Sequence, residues 1–141
     1  MLYNKPLPSV DEDIRPFWEA CKRHEFVLVR CRICAAWYWP MTCCRNHENL
    51  PFFGNMEWVK ASGKGRVFTV CIAHRVYHPG FKDEVPYVYS LIELDEGPMI
   101  SSNIVGCDPY KVQVGMPVEV VFEDVTPEFT LPKFRPNKKL K

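Results

Sequence analysis

Potential metal ligands are concentrated in one short stretch of this chain. The segment CRICAAWYWPMTCCRNH, residues 31–47, holds four of the seven cysteines and one of the four histidines. Cys31-x2-Cys34 has the spacing of a zinc knuckle, in which two thiolates converge on one ion. Cys44-x2-His47 repeats that spacing a few residues later. The four side chains predict a Cys3His zinc site, and because they fill all four tetrahedral positions we expect the metal to be structural.

Three alternatives compete with this assignment. Cys43 can replace Cys44 as the third ligand, with the spacing Cys43-x3-His47. The cysteines can instead be small buried residues with His47 at the surface, although two pairs at knuckle spacing favour a metal. A redox role for Cys31-x2-Cys34 is typical of a motif that opens a helix after a strand. The sequence that follows is aromatic and broken by proline, which argues against that role.

A second group of potential ligands, Cys71, His74 and His78, lies in one predicted strand. His74 and His78 would share a face but stand ~13 Å apart at the rise of an extended strand, which is too far for one metal. We expect Cys71 in the core and both histidines at the surface or at the mouth of a barrel. The chain contains no nucleophile elbow, phosphate-binding glycine loop or metalloprotease helix motif, so we predict no catalytic residue.

The composition is that of one globular domain. The 141 residues are 47% hydrophobic and carry a formal net charge of +1, which argues mildly against a dedicated nucleic-acid binder. No apolar run approaches the ~20 residues that span a bilayer, and no signal peptide is recognised. We therefore expect a cytoplasmic protein with no membrane partner. Thiols stay reduced in that compartment, and an odd number of cysteines favours metal binding over a disulfide framework.

The elements that must position these ligands are short. Residues 9–25, SVDEDIRPFWEACKRHE, predict a helix with Ser9 as its N-cap, although Pro16 favours a start near Arg15. Five β-rich segments separated by turns then favour a small antiparallel barrel or sandwich. They are MEWVKASG, RVFTVCIAHRVYH, VPYVYSLIELDEG, MISSNIVG and GMPVEVVFEDV. The tail after them contains three prolines, and we expect it to be irregular.

The order of these elements is similar to that of the family catalogued as domain of unknown function 35, described as acyl-CoA-associated zinc-ribbon and OB-fold proteins. The shared features cover residues 15–136, nearly the whole chain. They are Phe17-Trp18, Cys31-x2-Cys34 with its second knuckle, Gly63-x-Gly65, Pro86-Tyr87, LIELDEGPMISSNIVG, VGMPVEVVFED and LPKFRP. The family's second knuckle is usually Cys-x2-Cys, whereas this chain has His47 as the last residue of that knuckle and a shorter loop between the knuckles.

The resemblance implies a mainly β fold in three parts. These are an N-terminal arm and helix (1–24), a rubredoxin-like zinc ribbon (25–55), and a five-stranded OB-fold barrel with a C-terminal tail (56–141). It also implies a non-catalytic accessory subunit that joins a thiolase-like catalytic subunit, a thiolase or retro-aldolase, in a heterotetramer. The resemblance leaves a second kind of catalytic partner open, because other members of the family sit beside MaoC-like hydratases. The partner would act on an acyl-CoA, while this chain would brace it and help to shape its acyl-CoA site.

Aromatic residues and a basic tail are the predicted contacts of such a subunit. Aromatic side chains anchor many protein interfaces, and the alternative is that they belong to the core. The candidates are Trp18, Trp37, Tyr38, Trp39 and the tail segment Phe134-Arg135-Pro136. Lys133 and Arg135 could meet the phosphates of a coenzyme A thioester as charge-assisted pairs, and the alternative is a solvated tail.

Two other functions remain open. OB-folds and zinc ribbons also bind single-stranded nucleic acid through aromatic platforms and basic grooves, which would make binding strongly dependent on salt. A stand-alone acyl-CoA enzyme would need a nucleophile and a base that converge, and the sequence offers no recognisable pair. Because the net charge is near neutral, we rank the nucleic-acid-binding hypothesis below the accessory-subunit hypothesis.

Overall fold

A computed structural model describes residues 2–40, 42–47 and 54–137. The described residues contain one α-helix, α1, which runs from Arg15 to Lys22 and has a proline in its first turn. The expected start near Arg15 is therefore confirmed, but the Ser9 cap is wrong. The N-cap residue is Ile14, whose backbone N–H donates to the Asp11 carboxylate at 3.0 Å. None of the described helices is long and apolar enough to cross a bilayer.

A three-stranded antiparallel sheet follows the helix. Its strands are β1 (Val27–Cys31), β2 (Trp37–Tyr38) and β3 (Met56–Lys60), in the spatial order β2–β1–β3. Because β1 lies in the centre, its apolar run Val27, Leu28 and Val29 is buried. The segment predicted as the first barrel strand is β3, and it pairs along its whole length with β1 instead.

The remaining strands form the barrel. They are β4 (Lys64–Val67), β5 (Cys71–Ala73), β6 (Tyr87–Leu94), β7 (Met99–Ile104), β8 (Pro117–Asp124) and β9 (Thr130–Pro136). Neighbouring strands follow the order β4–β8–β9–β7–β6, and the barrel closes because β6 also pairs with β4. The short strand β5 follows β4 in the chain and pairs with the other end of β6. The β7–β9 pairing is parallel and the others are antiparallel. The predicted mainly β fold with a five-stranded OB-fold barrel is confirmed, although its strands are not the five that the pattern indicated.

The tail supplies the strand that the pattern missed. Residues 130–136 form β9, so the expectation of an irregular tail is wrong. Pro132 and Pro136 lack a backbone donor and suppress the strand signal in the sequence. The structure accommodates both prolines in the ladder with β8, opposite Phe122 and Val118. Phe134 between them is fully buried, which fixes β9 against the core.

The long strand predicted from Arg66 to His78 is interrupted by a bulge. The backbone N–H groups of Phe68 and Thr69 both donate to the carbonyl oxygen of Leu91, at 2.8 and 3.2 Å. Two residues therefore oppose one, and the chain bends between β4 and β5. Cys71 is consequently exposed, so its predicted place in the core is wrong.

Aromatic rings join the helix to both sheets. Phe26, just before β1, lies 6.1 Å from Phe17 of α1 and 6.0 Å from Phe134 of β9, measured between ring centroids. These rings belong to one hydrophobic cluster that also contains residues of β4, β6, β7 and β8. The boundaries proposed at residues 24/25 and 55/56 stay predictions, and parts of the predicted ribbon (48–53) and tail (138–141) lie outside the described residues.

Candidate metal centre

The structure brings together the four side chains that the spacing indicated. Cys31 is the last residue of β1, Cys34 lies in the turn that follows, and Cys44 and His47 come from the irregular segment 42–47. One ligand atom from each of the four lies within 4.8 Å of the others. Cys43, the alternative third ligand, is not among them.

A tight turn positions the first pair. The N–H of Ala35 donates to the carbonyl oxygen of Cys31, and the N–H of Cys31 donates to that of Ala36, both at 2.9 Å. Ala35 adopts a left-handed backbone with φ of 61°, which reverses the chain within the knuckle. The turn leaves Cys34 exposed at its tip while Cys31 is 1% exposed.

Polar groups surround the two more accessible sulfurs. Sγ of Cys34 and Sγ of Cys44 lie 3.6 Å apart. Asn46 donates from its side-chain amide to Cys34 at 3.5 Å and from its backbone to Cys44 at 3.4 Å. The side-chain bond from Asn46, together with a backbone N–H from Ala36, lowers the pKa of Cys34 to about 6. The thiolate is the form that binds metal, so these donors favour the ligand state.

Tyr38 of β2 contacts the second knuckle through its hydroxyl group. Its hydroxyl lies 3.3 Å from Sγ of Cys44 and accepts a hydrogen bond from the backbone N–H of Arg45 at 3.2 Å. The ring itself is buried in β2. Partners of this kind orient metal ligands, and their loss weakens metal binding. Tyr38 therefore belongs to the support of the cluster and not to an exposed interface.

His47 shows how well the cluster fits a cation. Its Nε2 atom is buried and has no hydrogen-bond partner among the described residues. A buried polar atom without a partner is costly in free energy, and a metal would remove that cost. Three thiolates and one imidazole form the donor set of a closed tetrahedral zinc site. The cluster is therefore compatible with a structural zinc, which would tie 31–34 to 44–47 and offer no position for substrate.

The other cysteines have different surroundings. Cys21 on α1 is completely buried, and burial raises the pKa of its thiol to about 12, so it is inert as a nucleophile. Cys107 is half-buried, which raises its pKa as well. His78 accepts a hydrogen bond from the N–H of Gly80 at 3.1 Å and caps the short 3₁₀ turn Pro79–Phe81.

Lys133 and Arg135, the two residues predicted to contact the phosphates of coenzyme A, both form ion pairs within the protein. Lys133 forms an ion pair with Glu123, and its side chain is only 13% exposed. Arg135 donates from Nε to Glu119 at 3.1 Å. Both pairs run across neighbouring positions of β8 and β9. The role of Lys133 and Arg135 toward phosphate groups stays a prediction.

A mainly apolar groove lies between α1, the ribbon and the barrel. Its volume is about 320 Å³, and its walls include Trp18, Trp39 and Tyr89. Sequence reasoning identified the two tryptophans but missed Tyr89, which is 50% exposed on the outer face of β6. The alternation YVYSLIEL was the available signal, since Val88 and Ser90 beside Tyr89 point into the barrel. Phe134, another predicted contact, belongs to the core.

Known proteins resemble this chain in both sequence and structure. A protein-family profile described as "ChsH2, C-terminal OB-fold domain" matches residues 58–123. A solved structure, "Ltp2-ChsH2(DUF35) aldolase", superposes with a TM-score of 0.80 at 37% identity. The match covers 92% of this chain and 98% of that chain.

Two curated relatives differ in length. The "Probable enoyl-CoA hydratase alpha subunit" of Thermomonospora curvata is 38% identical over 135 residues, covering 94% of this chain. The chain spans only 40% of that relative's length. The "DUF35 domain-containing scaffold protein" of Methanocaldococcus jannaschii is 36% identical over 114 residues, covering 79% of this chain and 77% of the relative.

Proposed function

This chain belongs to the DUF35 family, and we propose that it is a non-catalytic, zinc-binding accessory subunit of an enzyme complex that acts on acyl-CoA. The match to the ChsH2(DUF35) chain carries the proposal, because it covers 98% of a chain solved as part of an aldolase. The hydratase subunit and the scaffold protein among the relatives support the same kind of role. The catalytic partner in this proposal is a thiolase-superfamily protein, a thiolase or retro-aldolase.

The proposed metal has a structural part in this role. Cys31, Cys34, Cys44 and His47 would hold zinc through four protein ligands, which leaves no Lewis-acid position for substrate. Binding energy at such a site is also folding energy. Zinc would therefore fix the ribbon, and the ribbon contributes Trp39 to the groove beside α1.

The groove is the surface that we assign to the partner. Trp18 and Trp39 line it, and Tyr89 extends it onto the outer face of the barrel. Aromatic residues at the centre of an interface commonly supply most of its binding energy. The polar lining is uncharged except for Lys133, which already pairs with Glu123. An apolar ridge of the catalytic subunit would suit such a surface.

The proposed assembly is a heterotetramer of two accessory and two catalytic chains. In it, this chain would brace the partner and help to shape its acyl-CoA site. The cytoplasm is the proposed compartment, because all seven cysteines are free and thiols persist in a reducing environment.

The test is affinity purification of the tagged chain from its native cells, with mass spectrometry, metal analysis and size determination of the complex. The proposal expects a thiolase-superfamily protein in near-equal amount and about one zinc per chain. The purified complex should cleave or condense an acyl-CoA, and the isolated chain should not. Recovery of nucleic acid that is released by salt, with no protein partner, would contradict the proposal and favour an OB-fold nucleic-acid module.

A further inference from the structure

We propose that Cys34 and Cys44 form a redox-responsive pair, in which oxidation by a peroxide joins the two sulfurs and expels the metal. The inference rests on the zinc site of the proposed function and adds a regulation to it. The two Sγ atoms lie 3.6 Å apart, whereas a disulfide bond is about 2.05 Å long. A movement of less than ~2 Å therefore converts the contact into a bond.

Accessibility selects the sulfur that reacts first. Cys34 is exposed at the tip of its turn, Cys44 is half-buried, and Cys31 is 1% exposed. Cys31 is also held by the ladder, since it ends β1 and lies opposite Met56 of β3. Peroxide thus reaches Cys34 more readily than Cys31.

The secondary structure selects the second sulfur. Cys44 lies in the irregular segment 42–47 and belongs to neither sheet. Its segment can shift toward Cys34 without breaking a strand pairing. Cys31 would have to distort the end of β1 and its hydrogen bonds with Ala35 and Ala36 to do the same.

The chemistry balances with peroxide as the only added reactant. The Cys34 thiolate attacks one peroxide oxygen, the O–O bond breaks, and hydroxide leaves, so that Cys34 becomes a sulfenic acid. The Cys44 thiolate then attacks the Cys34 sulfur, and a second hydroxide leaves as the S–S bond forms. The sulfur pair loses two electrons, peroxide gains them, and the buffer supplies the two protons that convert both hydroxides to water.

Metal release follows from the ligand count. Disulfide sulfur is a poor ligand, so two of the four positions are lost and Cys31 and His47 remain. The ribbon loses the tie between its knuckles, and the surface around Trp39 loses its support. A thiol reductant together with zinc would reverse both steps.

The test treats the zinc-loaded chain with hydrogen peroxide at a few-fold excess. Released zinc is followed with a chromogenic chelator, and the crosslink is located by peptide mass mapping without reduction. We expect release of the bound zinc in step with a Cys34–Cys44 crosslink, and recovery of metal after reduction with zinc present. The variants Cys43→Ser and Cys71→Ser are the matched controls and should give the same crosslink and the same release.

Three results would overturn the inference: a crosslink through Cys31 or Cys43, retention of zinc while the exposed Cys71 is oxidised, or a purified chain that holds no zinc. The partner experiment is separate from all of these. A chain that co-purifies with a thiolase-superfamily protein but shows no Cys34–Cys44 bond would refute the redox pair and leave the accessory role standing.

Discussion

Trp39 of the ribbon packs directly on Phe17 of α1, with 4.0 Å between the ring centroids. Phe17 is itself 1% exposed and contacts Phe26 and Trp18. This ring contact is one of the links between the ribbon and the hydrophobic core. Disorder in the ribbon would expose Phe17 and enlarge the groove, so the state of the cysteine cluster should affect both stability and partner binding.

Replacing Cys34 with Ser should remove zinc and lower the melting temperature. The change deletes one of four ligands, and binding energy at a structural zinc site is also folding energy. Metal content by mass spectrometry and thermal melting measure the two effects on the same sample. Cys43→Ser is the matched control and should keep both the zinc and the melting temperature. If Cys43→Ser loses zinc and Cys44→Ser retains it, the third ligand is Cys43.

Replacing Phe134 with Ala should destabilise the barrel by about 3–5 kcal/mol, the usual cost of removing a fully buried aromatic side chain. Phe134 is 0% exposed and lies on β9 between β7 and β8. Urea unfolding followed by tryptophan fluorescence gives the free energy. Phe68→Ala removes the same group from a side chain that is 47% exposed and should cost only about 1 kcal/mol, because about half of the ring is already in water. Equal losses in the two variants would refute the assignment of β9 to the core.

Acid should weaken the contact between the end of α1 and the barrel. Asp124 accepts a hydrogen bond from the Thr130 hydroxyl at 2.6 Å and pairs with His24 at 2.9 Å, which holds its pKa below the usual value. A depressed folded-state pKa contributes stability above the unfolded-state pKa, and this contribution is lost as pH falls through the folded-state pKa. The melting-temperature difference between wild type and Asp124→Asn should therefore be present above the unfolded-state pKa of the carboxyl group and shrink as pH falls through the folded-state pKa.

Melting curves from neutral pH into the acid range measure this difference. Asp83→Asn replaces an exposed acid elsewhere on the surface and should follow the wild type at every pH. A difference between wild type and Asp124→Asn that stays constant on acidification would show that the carboxylate charge is not what stabilises the contact.

Replacing Tyr89 with Ala should weaken binding of the catalytic subunit by about 10-fold or more, as expected for an aromatic anchor at an interface. Tyr89 is half-exposed on the wall of the groove, so the change should leave the fold intact. Calorimetry with the co-purified partner gives the affinity. Tyr77→Ala removes a tyrosine that is 75% exposed and does not line the groove, and its affinity should match the wild type. Loss of affinity in Tyr77→Ala alone would move the interface away from the groove.

The cysteine cluster was predictable because its information is local. Two knuckles with fixed spacing place their ligands through turns of a few residues, such as the left-handed Ala35. The start of α1 was predictable for the same reason, since Pro16 restricts the backbone around it.

Features that depend on distant residues were missed. The strand β9 contains two prolines and becomes a strand only because β7 and β8 leave a gap for it. The bulge at Phe68 and Thr69 depends on the carbonyl of Leu91, more than twenty positions away. The groove is assembled from α1, the ribbon and the barrel, and no single segment carries its signal.

The position of β9 has a consequence for how this protein reaches its native state. β9 follows β7 and β8 in the chain but is inserted between them in the barrel. Pairings of this kind bring together distant segments, such as Ile104 and Phe134, and they slow folding. Until β9 docks, β7 and β8 present open edges that can pair with strands of other chains. The interval before barrel closure is thus the period of greatest aggregation risk.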